Sequence, residues 1–215
     1  MSVLSCASVI TALILVSPEA PEPMCSLEGS LMLRGLDGVQ RLPTFAGVYV
    51  NSRNLTTDPP ARHRMTQFRR KFDPHVLVVQ SGDTVDFANV DTEAHEVHAE
   101  RDVNLFDVKK ENSKELTYSK LFLDPGISEI GCRIHAAMSA LIVTVPNSYH
   151  AQLDATGKWR ISGLPKRELE LIFWAEGATS VTRKLTPCVS APAQVVLKSE
   201  VRPVTDPYDD YVKPQ

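Results

Sequence analysis

The chain has 215 residues, of which 43% are hydrophobic and 23% charged, and its 23 basic and 26 acidic side chains give a net charge of −3. This composition excludes intrinsic disorder and collagen-like repeats. Because the net charge is slightly negative, the protein as a whole has no positive surface potential to attract a nucleic acid, and we expect no nucleic-acid partner. The length fits one large domain or two small ones.

The N-terminal segment 1–24 differs from the rest of the chain. Residues 9–16 (VITALILV) are continuously apolar, and 1–16 contains no charged residue. An apolar run of this length is typical of a signal peptide, whereas a membrane span needs about 20 residues. No Lys or Arg precedes the run, and Pro18 and Pro21 interrupt the region where cleavage would occur. We expect 1–24 to be a signal peptide or spacer, the protein to be periplasmic or secreted, and no transmembrane span.

From residue 25 onward the pattern indicates one short β-strand after another. In 84–89 (TVDFAN), Val85 and Phe87 share one face while Asp86 and Ala88 share the other. No window of twelve residues has the 3.6-residue period of a helix. Strands are predicted at 30–34, 47–51, 76–80, 84–89, 128–132, 140–145, 158–161, 168–174, 179–185 and 194–198, separated by glycine-containing turns. Short strands at this spacing predict an all-β fold of sandwiches or barrels.

Candidate metal ligands are concentrated in two segments. Residues 131–138 (GCRIHAAM) place Cys132, His135 and Met138 at three-residue steps, and 89–98 (NVDTEAHEVH) offers His95 and His98. A thiolate, two imidazoles and a weak thioether form the ligand set of a blue-copper site. Each residue alone also fits an ordinary structural role, because buried Cys and Met often fill cores. The combined spacing, directly before the apolar strand 140–145, favours a metal site.

Residues 72–98 and 126–145 resemble the cupredoxins, the blue-copper proteins. Amicyanin and plastocyanin-like domains, including proteins labelled methylamine-utilisation proteins, are the most similar in spacing. The resemblance implies a Greek-key β-sandwich holding one type 1 copper ion near one end. It implies the ligands His95, Cys132, His135 and Met138, and it makes His98 a bystander, with His98 in place of His95 as the alternative.

Two positions depart from the family pattern. Cupredoxins usually have Asn after the first ligand His, where its amide ties the two ligand loops together, and here Glu96 stands. Prolines commonly flank the second His, whereas Ile134 and Ala136 do so here. We expect these changes to alter the tuning of the site and to leave its ligands in place.

The resemblance also implies a docking surface and a function. The ring of the loop histidine in this family reaches the surface through an apolar patch, here Ile134, Ala136 and Ala137, and meets a redox partner such as a c-type cytochrome or a dehydrogenase. A basic stretch, 62–71 (RHRMTQFRRK), is a second candidate surface, although a solvated loop and strand edge is its simpler interpretation.

No motif in the sequence points to catalysis: G-x-S-x-G, P-loop and H-E-x-x-H patterns are all missing. We therefore expect a non-enzymatic, single-copper electron carrier. The alternatives are a copper-holding or copper-delivery protein and a structural or docking module with an empty copper site.

The remaining sequence resembles the regulatory-like β-sandwich found beside carboxypeptidases, on the run 153–165 (LDATGKWRISGLP) and the following strand. Such a domain opens with a strand, an Asp-Gly turn and a second strand, and this opening occurs at 27–50. We therefore expect the opening strands of a small sandwich in 25–60, an inserted cupredoxin domain in 61–146, the completing half in 147–200 and a mobile tail in 201–215. Two successive domains are the alternative.

The cysteine content fits export. With Cys132 assigned to copper and Cys6 lying in the signal segment, Cys25 and Cys188 remain. Two such cysteines in a secreted chain readily form a disulfide, and reduced core cysteines are the alternative. If both halves of the small sandwich form one domain, we expect this disulfide to close it.

Overall fold

A computed structural model describes residues 24–99, 103–108 and 117–200. The predicted signal segment, except for residue 24, and the predicted tail lie outside these residues. Within them all regular structure is β, which confirms the all-β prediction, and they include no helix that could span a membrane. The strands are β1 (Cys25–Arg34), β2 (Gln40–Arg41), β3 (Ala46–Val50), β4 (Arg62–Phe68), β5 (Lys71–Asp73), β6 (Val76–Gln80), β7 (Thr84–Asn89), β8 (Val97–Ala99), β9 (Phe106–Asp107), β10 (Thr117–Leu121), β11 (Gly126–Cys132), β12 (Ser139–Val145), β13 (His150–Gln152), β14 (Lys158–Leu164), β15 (Leu169–Ala175), β16 (Val181–Leu185) and β17 (Ala193–Lys198).

Every predicted strand overlaps an observed one, and β6 and β7 have the predicted bounds. The strands that the pattern misses, β2, β4, β5, β8, β9, β10 and β13, are mostly two or three residues long. The interpretation of the basic stretch as a loop and strand edge is wrong for β4, which pairs with β7 on one side and β5 on the other. Only Met65 and Gln67 of β4 are buried, and Gln67 is polar, so this strand lacks the apolar alternation by which other strands are predicted.

The larger sandwich is formed by two sheets, with strand orders β10-β7-β4-β5 and β6-β12-β11-β8-β9. Their inner faces meet in one apolar core. Val85 and Phe87 of β7 lie in this core as their alternation predicts, and they pack with Met65, Ile130 and Ile142. The hairpin β11–β12 occupies the middle of the second sheet, and β11 pairs with β8 at the end where Cys132 lies.

The smaller sandwich is built from strands on both sides of the larger one in sequence. Strand β1 pairs antiparallel with β14 and parallel with β17, while β3 pairs with both β13 and β15. The two sheets enclose a second core that includes Leu31, Val50, Trp159, Phe173 and Leu197. Both sheets therefore need the segment before β4 and the segment after β12.

A disulfide joins Cys25, at the start of β1, to Cys188, in the turn between β16 and β17. The Cα atoms are 5.3 Å apart, and the sequence separation is 163 residues. The bridge thus connects the first strand of the small sandwich to the connection between its last two strands, across the whole larger sandwich in sequence.

A third apolar cluster lies between the two sandwiches. Tyr49 and Trp174 of the small sandwich pack with Val143 and Val145 of β12. Beside this cluster His75 Nε2 lies 2.6 Å from the Glu176 carboxylate. These contacts fix the two sandwiches against each other along β12, the strand that follows the candidate metal-binding turn.

We predict that replacing both Cys25 and Cys188 by Ala lowers the free energy of unfolding by about 2 to 5 kcal/mol, because the long closed loop restricts the unfolded chain. Denaturant titration measures the change. A reducing agent should destabilise the parent protein and leave the double variant unaffected. A loss below about 0.5 kcal/mol would mean that the bridge adds no constraint on the unfolded chain.

We also predict a pH-dependent contribution from the contact between His75 and Glu176. The hydrogen bond to Glu176 raises the pKa of His75 above its usual value, although burial opposes the shift. The stabilisation is therefore fully present below about pH 6.5, the ordinary histidine pKa, and is lost as the pH rises through the raised pKa of the folded state.

The test compares the free energies of unfolding of the parent and Glu176→Gln across this pH range. We expect a difference of up to about 1 kcal/mol at the acid end, because the pair is partly exposed, and a smaller difference above the raised pKa. Glu28→Gln is the control, since Glu28 pairs with Arg160, whose charge is constant. A difference for Glu176→Gln that does not vary with pH would contradict the prediction.

Candidate metal centre

The four sequence-predicted ligands lie at one end of the larger sandwich, on two neighbouring loops. His95 lies in the loop between β7 and β8, Cys132 is the last residue of β11, and His135 and Met138 belong to the turn between β11 and β12. Because Val97 of β8 pairs with Cys132, the first loop is held beside the second.

Three donor atoms converge at this end. The Nδ1 atoms of His95 and His135 are 3.1 Å apart, and Cys132 Sγ lies 3.9 Å from the first and 3.6 Å from the second. A single ion bound at about 2.0 to 2.3 Å by nitrogen and sulfur requires ligand separations of roughly 3 to 4 Å. The donor set therefore fits one metal ion, and the three side chains form the group of potential ligands found among the described residues.

Burial separates this donor set from water. The His95 side chain is fully buried, Cys132 is 5% exposed and the His135 side chain is 17% exposed. Met138 is buried in the same apolar core as Cys132. Two main-chain hydrogen bonds hold the turn: the Met138 amide donates to the His135 carbonyl at 2.9 Å, and the Cys132 amide donates to the Met138 carbonyl at 3.2 Å.

The environment of Cys132 favours the thiolate. Burial alone would raise the pKa of its thiol, but hydrogen bonds from His95, from the main chain at Glu96 and Ile134, and from His135 lower this pKa to about 6. A thiolate is the form that binds metals. Burial likewise would lower the pKa of His95, whereas hydrogen bonds to Cys132 and Asp91 raise it.

Two carboxylates contact the outer nitrogens of the imidazoles. Asp91 Oδ2 lies 3.1 Å from His95 Nε2, and Glu93 Oε2 lies 3.1 Å from His135 Nε2. An ionised carboxylate only accepts hydrogen bonds, so these contacts place a proton on Nε2 of each ring. The Nδ1 proton that hydrogen-bonds to Cys132 in the metal-free site is then the one that a metal ion would displace. The sequence analysis missed both residues, although Asp91, Glu93 and His95 alternate with a period of two.

The structure places His98 away from the three donors. His98 pairs with Gly131, the neighbour of Cys132, so it lies on the opposite face of the sheet. Its ring lies over Gly131, where a Cβ would be 2.8 Å from His98 Nε2. The absence of a side chain at residue 131 makes room for this ring.

Glu96 connects the two loops that carry the candidate ligands through its main chain. Its carbonyl accepts a hydrogen bond from the Arg133 amide at 3.1 Å, and its main chain also contributes to the lowered pKa of the Cys132 thiol. The loops are thus tied together without a side-chain amide at this position.

The apolar residues around His135 are accessible at the surface. Ile134 is 45% exposed, and Ala136 and Ala137 are exposed as well. The His135 ring itself is mostly buried, and its outer nitrogen faces Glu93. These three side chains are therefore accessible to solvent, while the ring behind them contacts a carboxylate.

The similar solved structures reported below each match less than half of the chain. No protein-family model and no curated protein matches the chain. Among solved structures it is similar to amicyanin from Paracoccus versutus (18% identity, 45% of this chain and 96% of that one, TM-score 0.35). It is also similar to a purple cupredoxin from Nitrosopumilus maritimus (20% identity, 38% of this chain and 98% of that one, TM-score 0.31).

A third similar structure is the copper-containing nitrite reductase from Thermus scotoductus SA-01, at 20% identity and a TM-score of 0.35. The match covers 42% of this chain and only 24% of the reductase, about a quarter of its length.

Proposed function

We propose that the protein is a single-copper, type 1 electron-transfer protein of the cupredoxin kind, with His95, Cys132, His135 and Met138 as ligands. The observation that carries this proposal is the convergence of one thiolate and two imidazole nitrogens, 3.1 to 3.9 Å apart, in a buried pocket. Bound copper would supply a one-electron couple. The protein's part is to hold the donors, exclude water and offer a surface for a partner.

The chemistry of the donors favours copper among the common metals. Thiolate and thioether sulfur suit Cu(I), while imidazole suits Cu(II), and this combination is the ligand set of blue-copper centres. The donors lie on a strand end and a short turn that are anchored in an apolar core. Such anchoring restricts ligand movement between the two oxidation states, which lowers the barrier to electron transfer.

We propose that the copper-binding sandwich, residues 61–146, is inserted into the small sandwich formed by 25–60 and 147–200. The pairing of β1 with both β14 and β17 supports the insertion over two successive domains. The disulfide between Cys25 and Cys188 supports a periplasmic or secreted location, since such bonds persist in oxidising compartments.

We further propose that a redox partner such as a c-type cytochrome or a dehydrogenase docks on Ile134, Ala136 and Ala137. This patch lies on the turn that carries His135, so a partner there approaches the donor set closely. Transient redox complexes have small interfaces, below about 1,200 Å², and a few exposed apolar residues suit them.

A copper-holding protein is the second candidate. The contact between Glu93 and the outer nitrogen of His135 favours it, because the ring is then less open to a partner. Reversible one-electron cycling with rapid self-exchange distinguishes an electron carrier from a protein that only retains copper.

We predict that Cys132→Ser abolishes the intense visible charge-transfer band of the copper-loaded protein, since that band requires a thiolate ligand. His95→Ala should weaken or remove the band. His98→Ala should retain it, because His98 lies on the other face of the sheet, over Gly131. Absorption spectra of equally loaded variants make the comparison. Loss of colour in His98→Ala with colour kept in His95→Ala would overturn the ligand assignment.

We predict that Ala137→Asp slows electron exchange with the partner about tenfold, equivalent to about 1.4 kcal/mol, without changing the optical spectrum. The new carboxylate would have to lose water on docking against an apolar surface. Stopped-flow kinetics measure the rate. Ala155→Asp, an equal charge change at an exposed site in the small sandwich, is the control. Equal rates for both variants would place the docking surface elsewhere, with the basic stretch as the next candidate.

A further inference from the structure

Three charged side chains form a brace on the outer side of the donor set. Arg70 donates from its Nε and one terminal nitrogen to the two oxygens of Glu93, at 2.9 and 2.8 Å. Its main-chain amide donates to Asp91 Oδ2 at 3.0 Å. Glu93 and Asp91 in turn contact the outer nitrogens of His135 and His95. One arginine thus holds both carboxylates that contact the ligand imidazoles.

The backbone of Arg70 has an unusual conformation that positions both of these contacts. Arg69 and Arg70 form the two-residue turn between β4 and β5, with φ values of 51° and 58°. Such turns favour Asn and Gly, which adopt positive φ at low cost. An arginine at either position has a strained backbone, because its Cβ disfavours a positive φ. Backbone strain of this kind concentrates at functional sites. The conformation directs the Arg70 amide to Asp91 while its guanidinium reaches Glu93.

The brace determines which nitrogen of each ring faces the metal. With both Nε2–H groups donating to carboxylates, both Nδ1 lone pairs point inward, 3.1 Å apart and beside the Cys132 sulfur. Two imidazole lone pairs and a thiolate at these distances repel one another unless a proton or a metal cation lies between them. The carboxylates therefore stabilise the arrangement that binds a metal.

We propose that Asp91 and Glu93 are positioning residues of the metal centre and that Arg70 holds both of them in place. This inference rests on the proposed copper-binding function. A carboxylate hydrogen-bonded to a metal-binding imidazole fixes its tautomer and increases its basicity. The more basic imidazole stabilises Cu(II) more than Cu(I), so the brace lowers the reduction potential of the centre.

The two carboxylates contribute unequally. Glu93 shares its charge with the Arg70 guanidinium, and its side chain is 42% exposed. The Asp91 side chain is only 10% exposed, and its other partners are the uncharged main-chain amides of Arg70 and Thr92. Because its charge is less neutralised and less screened by water, Asp91 has the larger effect on its imidazole.

The test measures Cu(II) and Cu(I) affinities by competition with chelators, together with reduction potentials, for the full chain. We expect Asp91→Asn to weaken Cu(II) binding about tenfold and Cu(I) binding much less. The potential should then rise by up to about 59 mV, the equivalent of a tenfold difference for one electron. Glu93→Gln should show a smaller shift in the same direction.

Asp86→Asn is the matched control. Asp86 lies on β7, the strand before the loop that carries Asp91, and its carboxylate pairs with Arg62 of β4. Its other side-chain partner is the hydroxyl of Ser119 and not an imidazole. We expect its copper affinities and potential to equal those of the parent. Shifts in Asp91→Asn no larger than those in Asp86→Asn would overturn the proposal.

A second measurement needs neither a change of oxidation state nor a carboxylate variant. Nitrogen-15 NMR of the imidazole rings in the Cu(I)-loaded parent reports the tautomer, and we expect Nε2–H for both His95 and His135. Arg70→Gln, which keeps both carboxylates but removes the guanidinium, should broaden the Nε2–H signal of His135. An Nδ1–H tautomer in the parent would overturn the proposal.

These outcomes are distinct from failure of the proposed function. If the parent binds no copper, or binds it without a thiolate charge-transfer band, the electron-transfer proposal fails first. If the parent gives the band while Asp91→Asn and Glu93→Gln retain parental potentials, only the role of the brace is wrong.

Discussion

Burial of strand β12 on both faces is the constraint on which the geometry of the candidate metal centre depends. One face, with Ala140 and Ile142, packs in the core of the larger sandwich, and the other, with Val143 and Val145, packs against the small sandwich. A slip of β12 by one residue would exchange the side chains that face the two cores and disrupt the packing of both. The turn that ends at Met138, directly before β12, is therefore held in a fixed position relative to β11 and Cys132.

The small sandwich supports this arrangement from outside. Its sheet containing β3 and β15 presents Tyr49 and Trp174 to β12, and the contact between His75 and Glu176 lies at the edge of the same interface. The disulfide from Cys25 to Cys188 connects its first strand to the turn between its last two strands. In this account the second domain contributes rigidity to the metal centre, because it covers a sheet face that would otherwise be exposed to water.

Sequence patterns predict the parts of the fold where apolar alternation or a continuous apolar run is strong. Strand β7 and the apolar run of β12 are of this kind. Short strands such as β8 carry too few residues to form a pattern. Strand β4 has no apolar alternation, because Gln67 is one of its two buried residues, and its place in the sheet depends on pairing with its neighbours β7 and β5.

The residues of the candidate site also differ in how far the sequence predicts them. Cys132 and His135 are detectable because three-residue spacing within one turn is local information. The brace is not, because Arg70 reaches Asp91 and Glu93 only through the pairing of β4 with β7 and an unusual turn conformation. A tertiary contact between a basic stretch and an acidic loop leaves no signature in either segment alone.

X-ray absorption at the copper edge of the protein loaded with one equivalent of copper tests the central claim most directly, because it reports the atoms bound to the ion. The account predicts one short bond to sulfur and two bonds to imidazole nitrogen in both oxidation states, with little change in length between them. A first coordination sphere made only of nitrogen and oxygen, or one that rearranges on reduction, would contradict it.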